Sequence, residues 1–487
     1  MKRTVRTRRW VLQGLAAGVA APVMAEAPAV SLRPRTRPVE LGPPPAAEIV
    51  EAFGLRGDIS FAVADVRSGQ MLEALSPVLR QPPASTAKAL TALYALDRLG
   101  PDHRFATRVV TTGPVQDGRV DGDLVLVGGG DPTLDTDGLG ALAAQLKDAG
   151  IREVTGHFGI WRGVLPQIEE IDPSQPPHVS YNPAVAALNL NYNRVYFEWV
   201  RGSNGYEVKM DARTASFSPR VQTARMEVVD RSVPVYTYRR GEGVDEWTVA
   251  RRALGGGGAR WLPVRRPDLY AAEVFQTLAR SHGIVLKQPE ILDEAPPGSE
   301  IARHESATLA SILRDMLRYS TNLTAEVVGL AASAAEGGVP QSLAESAQRM
   351  NIWLEEELGG RRPGLVDHSG LGGNSRISAA DMVNTLVRVG ASAPLASLLK
   401  PFPVADAPVP LAVSAKTGTL NFVSALAGYL TAPSGRELAF AILTSDLKAR
   451  SSLTEAERER PPGGRAWAGR SRTLQRRLLA NWAVAHA

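Results

Sequence analysis

The chain of 487 residues contains no cysteine, which excludes disulfides, thiol nucleophiles and cysteine-ligated metals and leaves an oxidising compartment open. Its seven histidines are scattered and form no His-x-x-x-His or similar pair, so neither a metal nor any other cofactor is expected. No apolar run is long enough to span a bilayer: the best candidate, Leu15 to Met24, is short and holds Gly18 and Pro22. A surplus of charge is missing as well. Of the 55 basic residues, Lys2, Arg3, Arg6, Arg8 and Arg9 fall in the first 25 positions, and without them 50 bases face 50 acids. The basic pI therefore gives no argument for nucleic acid. The glycine clusters at 128–130 and 255–258 lack a following Lys-Ser/Thr and lack dinucleotide spacing, so they read as turns and not as phosphate cradles. No internal repeat is visible.

What is present begins with Thr7-Arg8-Arg9-Trp10-Val11-Leu12-Gln13, which looks like a twin-arginine export motif ahead of the short apolar stretch. Val23-Met24-Ala25 offers small residues for cleavage before Glu26. Residues 1–25 are expected to be a signal peptide directing the chain to the periplasm, and the Pro/Ala-rich residues 26–45 a linker. At 44% hydrophobic and 22% charged, the rest has ample material for a core.

The pattern along the mature chain changes twice. A hairpin is predicted from Ile59–Val66 and Met71–Leu75, followed after Pro82 and Pro83 by a helix with Leu90, Leu93, Leu96 and Leu99 spaced for burial. From about 107 to 300 the runs are short and strand-like. After about 305 helices return (Ala307–Arg318, Leu323–Ala334, Gln341–Leu358, Ala379–Val389), then strands (Leu411–Lys416, Ser424–Thr431, Glu437–Thr444) and a last helix near Leu474–Val484. This order predicts an α+β domain made of residues 46–106 and 301–487, split by a β-rich insertion at 107–300 that forms two subdomains. The last helix aligns Leu474, Leu478 and Trp482 with Arg472, Arg476 and Arg477 nearby. That face fits packing on the core sheet, so any membrane contact is at most peripheral.

Within the first turn of the early helix, Ser85 and Lys88 lie three apart and share a face. A serine hydroxyl is a weak nucleophile and needs a base that is neutral when it acts; Lys88 suits that role if burial and a second cation lower its pKa. Ser-x-x-Lys alone is common and recurs at Ser397–Lys400 and Ser445–Lys448. Ser-x-Asn likewise occurs at Ser180–Asn182 and at Ser320–Asn322. Lys416-Thr417-Gly418 is rarer, with roughly a one-in-ten chance of an accidental match. Singly, each has an ordinary reading as a helix cap or a solvated charge. Order discriminates: only Ser85 both opens a helix and precedes a Ser-x-Asn and the Lys-Thr-Gly.

The ordered trio Ser85-x-x-Lys88, Ser320-x-Asn322 and Lys416-Thr417-Gly418 resembles that of penicillin-binding proteins and serine β-lactamases. The 235 residues from 85 to 320 and the runs Gly122-Asp-Leu-Val-Leu-Val-Gly-Gly-Gly-Asp-Pro-Thr-Leu, Asp367-His-Ser-Gly-Leu and Ala425-Leu-Ala-Gly-Tyr-Leu-Thr are similar to the class C low-molecular-mass members, the serine D-alanyl-D-alanine carboxypeptidases/endopeptidases. The resemblance spans about 50 to 450. It implies a transpeptidase-type antiparallel sheet flanked by helices. It also implies an exported enzyme that acylates Ser85 with peptidoglycan stem peptides and is blocked by β-lactam antibiotics. Ser320 would relay a proton to the leaving amine, Asn322 would hold the substrate amide and Lys88, and Lys416 with Thr417 would bind the terminal carboxylate. The backbone N–H groups of Ser85 and Thr419, beyond Gly418, would form the oxyanion hole, worth ~3 kcal/mol per donor in comparable enzymes. Two alternatives share the fold: a non-hydrolytic peptidoglycan-binding homologue, and a β-lactamase or esterase. Class A β-lactamase fits poorly, because no Glu-x-x-x-Asn lies between Ser320 and Lys416.

Three positions depart from the family pattern. Thr419 replaces the serine of Lys-Thr-Gly-Ser, a mild change because the backbone N–H acts there. Trp161 aligns with an acidic residue that contacts the substrate side chain. Ser369-Gly-Leu-Gly-Gly373 lacks an arginine that would face a substrate carboxylate, with Arg376 close by in sequence.

Overall fold

The computed structural model describes residues 43–391, 394–404, 407, 409 and 411–487. The export motif, the cleavage site and the linker up to residue 42 lie outside the described residues.

A six-stranded antiparallel sheet joins the two ends of the chain. Its order is Lys400–Pro401, Ala412–Leu420, Val423–Thr431, Glu437–Ser445, Asp58–Asp65 and Met71–Leu75. The middle strands read as near-continuous apolar runs because both faces are covered. Successive side chains point to opposite faces, so Ala62, Ala64, Ala425, Ala427, Ala439 and Ala441 meet one helical layer, while Phe61, Val63, Leu426, Leu430, Phe440 and Ile442 meet the other. The small alanines let the first layer sit close. That layer includes Ala87–Leu99, Leu309–Tyr319, Asn322–Gly337 and Ala379–Val389. In Leu309–Tyr319 the buried set Leu309, Ile312, Leu313, Met316 and Leu317 is one helical stripe. Each such side chain contributes roughly 1.5–3 kcal/mol.

The opposite layer is the C-terminal helix Gly464–Ala485, which starts ten residues earlier than its leucine spacing suggested. Leu474, Leu478 and Trp482 are fully buried against the sheet, and Trp482 packs on Phe61 and Phe440.

The segment expected to be β-rich also carries two substantial helices, Thr136–Asp148 and Pro267–Ser281. They pack on a five-stranded sheet of order Pro289–Leu292, Phe158–Trp161, Leu124–Val127, Ala106–Thr111 and Ser299–Glu305. The last of these strands pairs with Ala106–Thr111, so the expected boundary at 300/301 runs through a strand. Three small three-stranded sheets complete it, two of them built around Arg194–Gly202 and Asp245–Ala250. Gly257 and Gly258, read as part of a turn, lie in the strand Gly257–Pro263 opposite Val200 and Trp199; the indole of Trp199 occupies the space a side chain on Gly258 would need.

Candidate active site

Ser85 lies in a 3-10 turn, Ala84–Thr86, that leads into the helix Ala87–Leu99. The turn is forced. Ala84 has φ +47°, a left-handed conformation that costs a residue with a Cβ about 1–3 kcal/mol. Two glycines allow the close packing that holds it. A Cβ on Gly370, itself at φ +72°, would stand 1.9 Å from the Ala84 carbonyl oxygen, and one on Gly418 would stand 2.7 Å from that of Pro83. The Lys-Thr-Gly strand can therefore lie directly against the serine turn.

Beneath Ser85, the Lys88 side chain is completely buried. Its Nζ is 3.0 Å from Ser85 Oγ, 2.7 Å from Asn322 Oδ1 and 2.8 Å from the Ser369 carbonyl. Burial lowers its pKa to about 8, against the opposing charges of Glu326 and Asp367. Across the cleft, Lys416 Nζ donates to Ser320 Oγ at 3.0 Å and to the Thr417 carbonyl at 2.8 Å. Burial, then Lys88 and Lys400, push its pKa well down. Of the two causes expected to lower Lys88, burial does so, while the like charge of the two lysines falls on Lys416. Ser320 caps Leu309–Tyr319 in a left-handed conformation, φ 60°, which turns the chain into the helix Asn322–Gly337.

The predicted residues divide into two sets. Ser85, Ser320, Asn322 and Thr419 line one cleft of about 950 Å³, with Tyr181, Phe422 and Arg450 further along it. Lys88 and Lys416 lie buried below. Gly418 is the close contact already described, and Thr417 is exposed. The repeated motifs diverge. Ser397 Oγ donates to its own helix's Pro394 carbonyl, and Ser445 to Gln81 Oε1. Asn182 uses its amide to hold the 171–172 backbone. Its neighbour Tyr181, however, accepts a 2.8 Å hydrogen bond from Asn322 Nδ2 on its carbonyl. A loop of the insertion therefore helps to build the site.

Other contributors carried no motif. Glu326 and Asp367, both buried, organise the loop after residue 366. The Glu326 carboxylate accepts from the N–H groups of His368 (3.0 Å) and Ser369 (2.8 Å), and Asp367 accepts from Gly370 N (2.9 Å) and from the Ser375 hydroxyl (3.2 Å). That loop presents the Ser369 carbonyl to Lys88. Burial and the Asp367 charge push Glu326 up to about 8, and burial raises Asp367. His368 is held neutral by burial, its pKa driven to about 3, with Nε2 2.7 Å from Ser346 Oγ.

Trp161 does not line the cleft. It packs with Val110, Val125, Val127 and Leu292 inside the insertion. Gly373 and Arg376 line a smaller pocket of about 310 Å³ that shares Gln175, Asn421 and Arg450 with the main cleft.

Residues 49–460 match the D-Ala-D-Ala carboxypeptidase 3 (S13) family. A D-alanyl-D-alanine carboxypeptidase of Actinomadura sp. is 28% identical over 452 residues, covering 82% of this chain and 79% of that one. D-alanyl-D-alanine carboxypeptidase DacB of Haemophilus influenzae is 26% identical over 412 residues, covering 79% of this chain and 84% of that one. The crystal structure of penicillin binding protein 4 from Haemophilus influenzae superposes with a TM-score of 0.72 at 22% identity, covering 89% of this chain and 99% of that one. The shared architecture is the α+β penicillin-binding fold. With the family matched across most of its length, this chain belongs to the D-Ala-D-Ala carboxypeptidase 3 (S13) family.

Proposed function

We propose that this protein is an exported serine D-alanyl-D-alanine carboxypeptidase/endopeptidase that cleaves peptidoglycan stem peptides through an acyl-Ser85 intermediate and is inactivated by penicillin. The catalytic domain is formed by about residues 46–105 and 306–487, the boundaries expected at 106/107 and 300/301 moving to the ends of the paired strands Ala106–Thr111 and Ser299–Glu305, with the segment between them inserted and an N-terminal signal ahead of it. The observation that carries the reading is the threefold setting of Lys88 Nζ. A neutral lysine amine has two N–H donors and one lone pair. The carbonyl oxygens of Asn322 and Ser369 take both donors, so the lone pair is left for the Ser85 hydroxyl, which then donates to it.

The reaction follows from that geometry. Ser85 Oγ passes its proton to Lys88 Nζ and attacks the carbonyl of the penultimate D-alanine. The oxyanion is stabilised by the backbone N–H groups of Ser85 and Thr419. Lys416, with Thr417, receives the terminal carboxylate, and as the C–N bond breaks Ser320 gives its hydroxyl proton to the departing amine and takes the one Lys88 received from Ser85, which leaves both Ser320 and Lys88 neutral. Lys88, neutral again, then takes a proton from water as the hydroxide attacks the acyl carbonyl, and returns it to Ser85 Oγ as the ester C–O bond breaks, releasing the shortened peptide as a free acid.

The test is release of D-alanine from a peptide ending in D-Ala-D-Ala, wild type against Ser85→Ala. Release by the wild type alone is expected; equal release by both refutes the assignment of Ser85. Digestion of sacculi then separates the two hydrolytic modes, since loss of cross-linked dimers marks endopeptidase action and loss of pentapeptides marks carboxypeptidase action.

A further inference from the structure

The Asn322 amide is held at both ends. Its Oδ1 accepts from Lys88 Nζ at 2.7 Å, and its Nδ2 donates to the Tyr181 carbonyl at 2.8 Å. The two ends of a side-chain amide have nearly the same shape, so their partners decide which end faces the lysine. Tyr181 lies in the insertion, 141 residues earlier in the chain.

A carbonyl can serve as such a reference only where its loop is held still. Residues 169–184 leave and rejoin the insertion through a bridge in which Ile168 and Val185 exchange two backbone hydrogen bonds of 2.8 Å. No helix or strand lies between them. Two buried side chains hold the loop instead. Asn182 Oδ1 accepts from the N–H groups of Ile171 (3.0 Å) and Asp172 (2.9 Å), while its Nδ2 donates to the Asp172 carbonyl (2.9 Å). Arg265 reaches in from the other side and donates to the carbonyls of Glu169 (3.0 Å), Pro177 (3.1 Å) and Asn182 (2.8 Å). The Glu170 carboxylate stands 3.2 Å from the same guanidinium. Burying a guanidinium is costly unless carbonyls and a carboxylate replace its water. Here they do, and the chain is fixed on either side of Tyr181.

We propose that Asn182 and Arg265 are positioning residues for acylation: by clamping residues 169–182 they fix the Tyr181 carbonyl, which sets the Asn322 amide with Oδ1 on Lys88. The second N–H of Asn322 Nδ2 is then left for the substrate amide. The inference rests on the acyl-Ser85 reading for the roles of Lys88 and Asn322. Neither positioning residue touches a reacting atom, and the charges that face Lys88, namely Glu326, Asp367 and Lys416, belong to other segments.

The variants Asn182→Ala and Arg265→Lys loosen the loop from opposite sides. Arg265→Lys is the milder, since it keeps a charge beside Glu170 but cannot reach three carbonyls at once, and it carries the test should Asn182→Ala not fold. Titration of Lys88 in protein labelled with 13C at lysine Cε, assigned by Lys88→Arg, reads the clamp without turnover. Loss of a fixed Oδ1 removes an acceptor from the ammonium, so the midpoint, about 8 in the wild type, should fall by about half a pH unit or more. Acylation by benzylpenicillin on the high-pH plateau should slow about tenfold. In an Asn322→Ala background the same substitutions should change that rate by less than about twofold, because the group they act through is gone. An unmoved midpoint, or an equal loss of rate with and without Asn322, reduces the clamp to a structural support and overturns the proposal. Penicilloyl-adduct formation on the wild type reports separately on Ser85. An adduct with an unmoved midpoint sinks the clamp alone, and a moved midpoint without an adduct sinks only the acyl-serine reading.

Discussion

The most demanding prediction concerns the pH dependence of acylation. Lys88 can accept the Ser85 proton only when unprotonated, and burial brings its pKa from 10.5 to about 8. The neutral fraction is then roughly 1% at pH 6, about 10% at pH 7 and about half at pH 8. Had the lysine kept its solvated value, only about 0.03% would be neutral at pH 7, so burial is worth roughly 300-fold in competent enzyme there. The perturbation is pH itself, and the assay is stopped-flow acylation by a fluorescent penicillin under second-order conditions from pH 5.5 to 8. The rate should rise close to tenfold per unit up to about pH 7 and bend near 8. A flat profile over that range, or one still climbing tenfold per unit at pH 8, refutes Lys88 as the buried base. The same burial has a thermodynamic signature. Because the folded pKa is depressed, the unfolded chain binds more protons between about 8 and 10.5, so Lys88 makes stability rise with pH across that window and removes it as pH falls through 8.

Glu326 contributes the opposite slope in another window. Its folded pKa is raised from 4.5 to about 8, so the stability it contributes is complete below 4.5 and is lost as pH rises toward 8. Glu326→Gln should reduce that loss in urea titrations at pH 5 and pH 8. It should also cost ~1–3 kcal/mol at pH 5, because His368 N–H and Ser369 N–H bond different oxygens of Glu326 and Gln would set an NH2 donor against one of them. An unchanged pH slope would contradict the role given to this carboxylate. Gly370→Ala drives a methyl into the Ala84 carbonyl and should slow acylation by at least about a hundredfold, roughly 2.7 kcal/mol of barrier, in a protein whose circular dichroism still reports a folded chain. Wild-type acylation rates in that variant would show that the serine turn does not depend on this contact. Lys416→Ala should reduce cleavage of a peptide with a free terminal carboxylate far more than that of an ester lacking one, measured as kcat/KM for each. Equal losses would assign Lys416 to the chemical step instead of to carboxylate binding.

The parts of the site legible in the sequence are those whose chemistry needs a fixed local spacing. Ser85 and Lys88 meet because three residues make one helical turn, and Ser320 and Asn322 flank the break between two helices. Chain order then separated these from the repeats at 180, 397 and 445. The core strands were equally plain, since strands buried on both faces are apolar throughout. What stayed hidden has no local signature. Glu326 sits in the largely apolar helix Asn322–Gly337, where a single acid reads as a solvated charge, yet it is fully buried under the Ser369 loop. Tyr181 acts through its carbonyl, which every residue possesses. Arg265 is marked only by its three-dimensional convergence on the Glu169, Pro177 and Asn182 carbonyls. The helices Thr136–Asp148 and Pro267–Ser281 were hidden by flanking turn residues, and the surroundings of Trp161, which stands where the family has an acid, are the apolar Val110, Val125, Val127 and Leu292 and carry no sequence signal.

The central claim is that Ser85, activated by a buried neutral lysine, is the residue that becomes acylated. Intact-mass measurement after incubation with benzylpenicillin, followed by peptide mapping, tests it most directly. The wild type should gain one penicilloyl group on the peptide containing Ser85, and Ser85→Ala should gain none. An adduct of equal yield on Ser85→Ala, or no adduct on the wild type, would contradict the account.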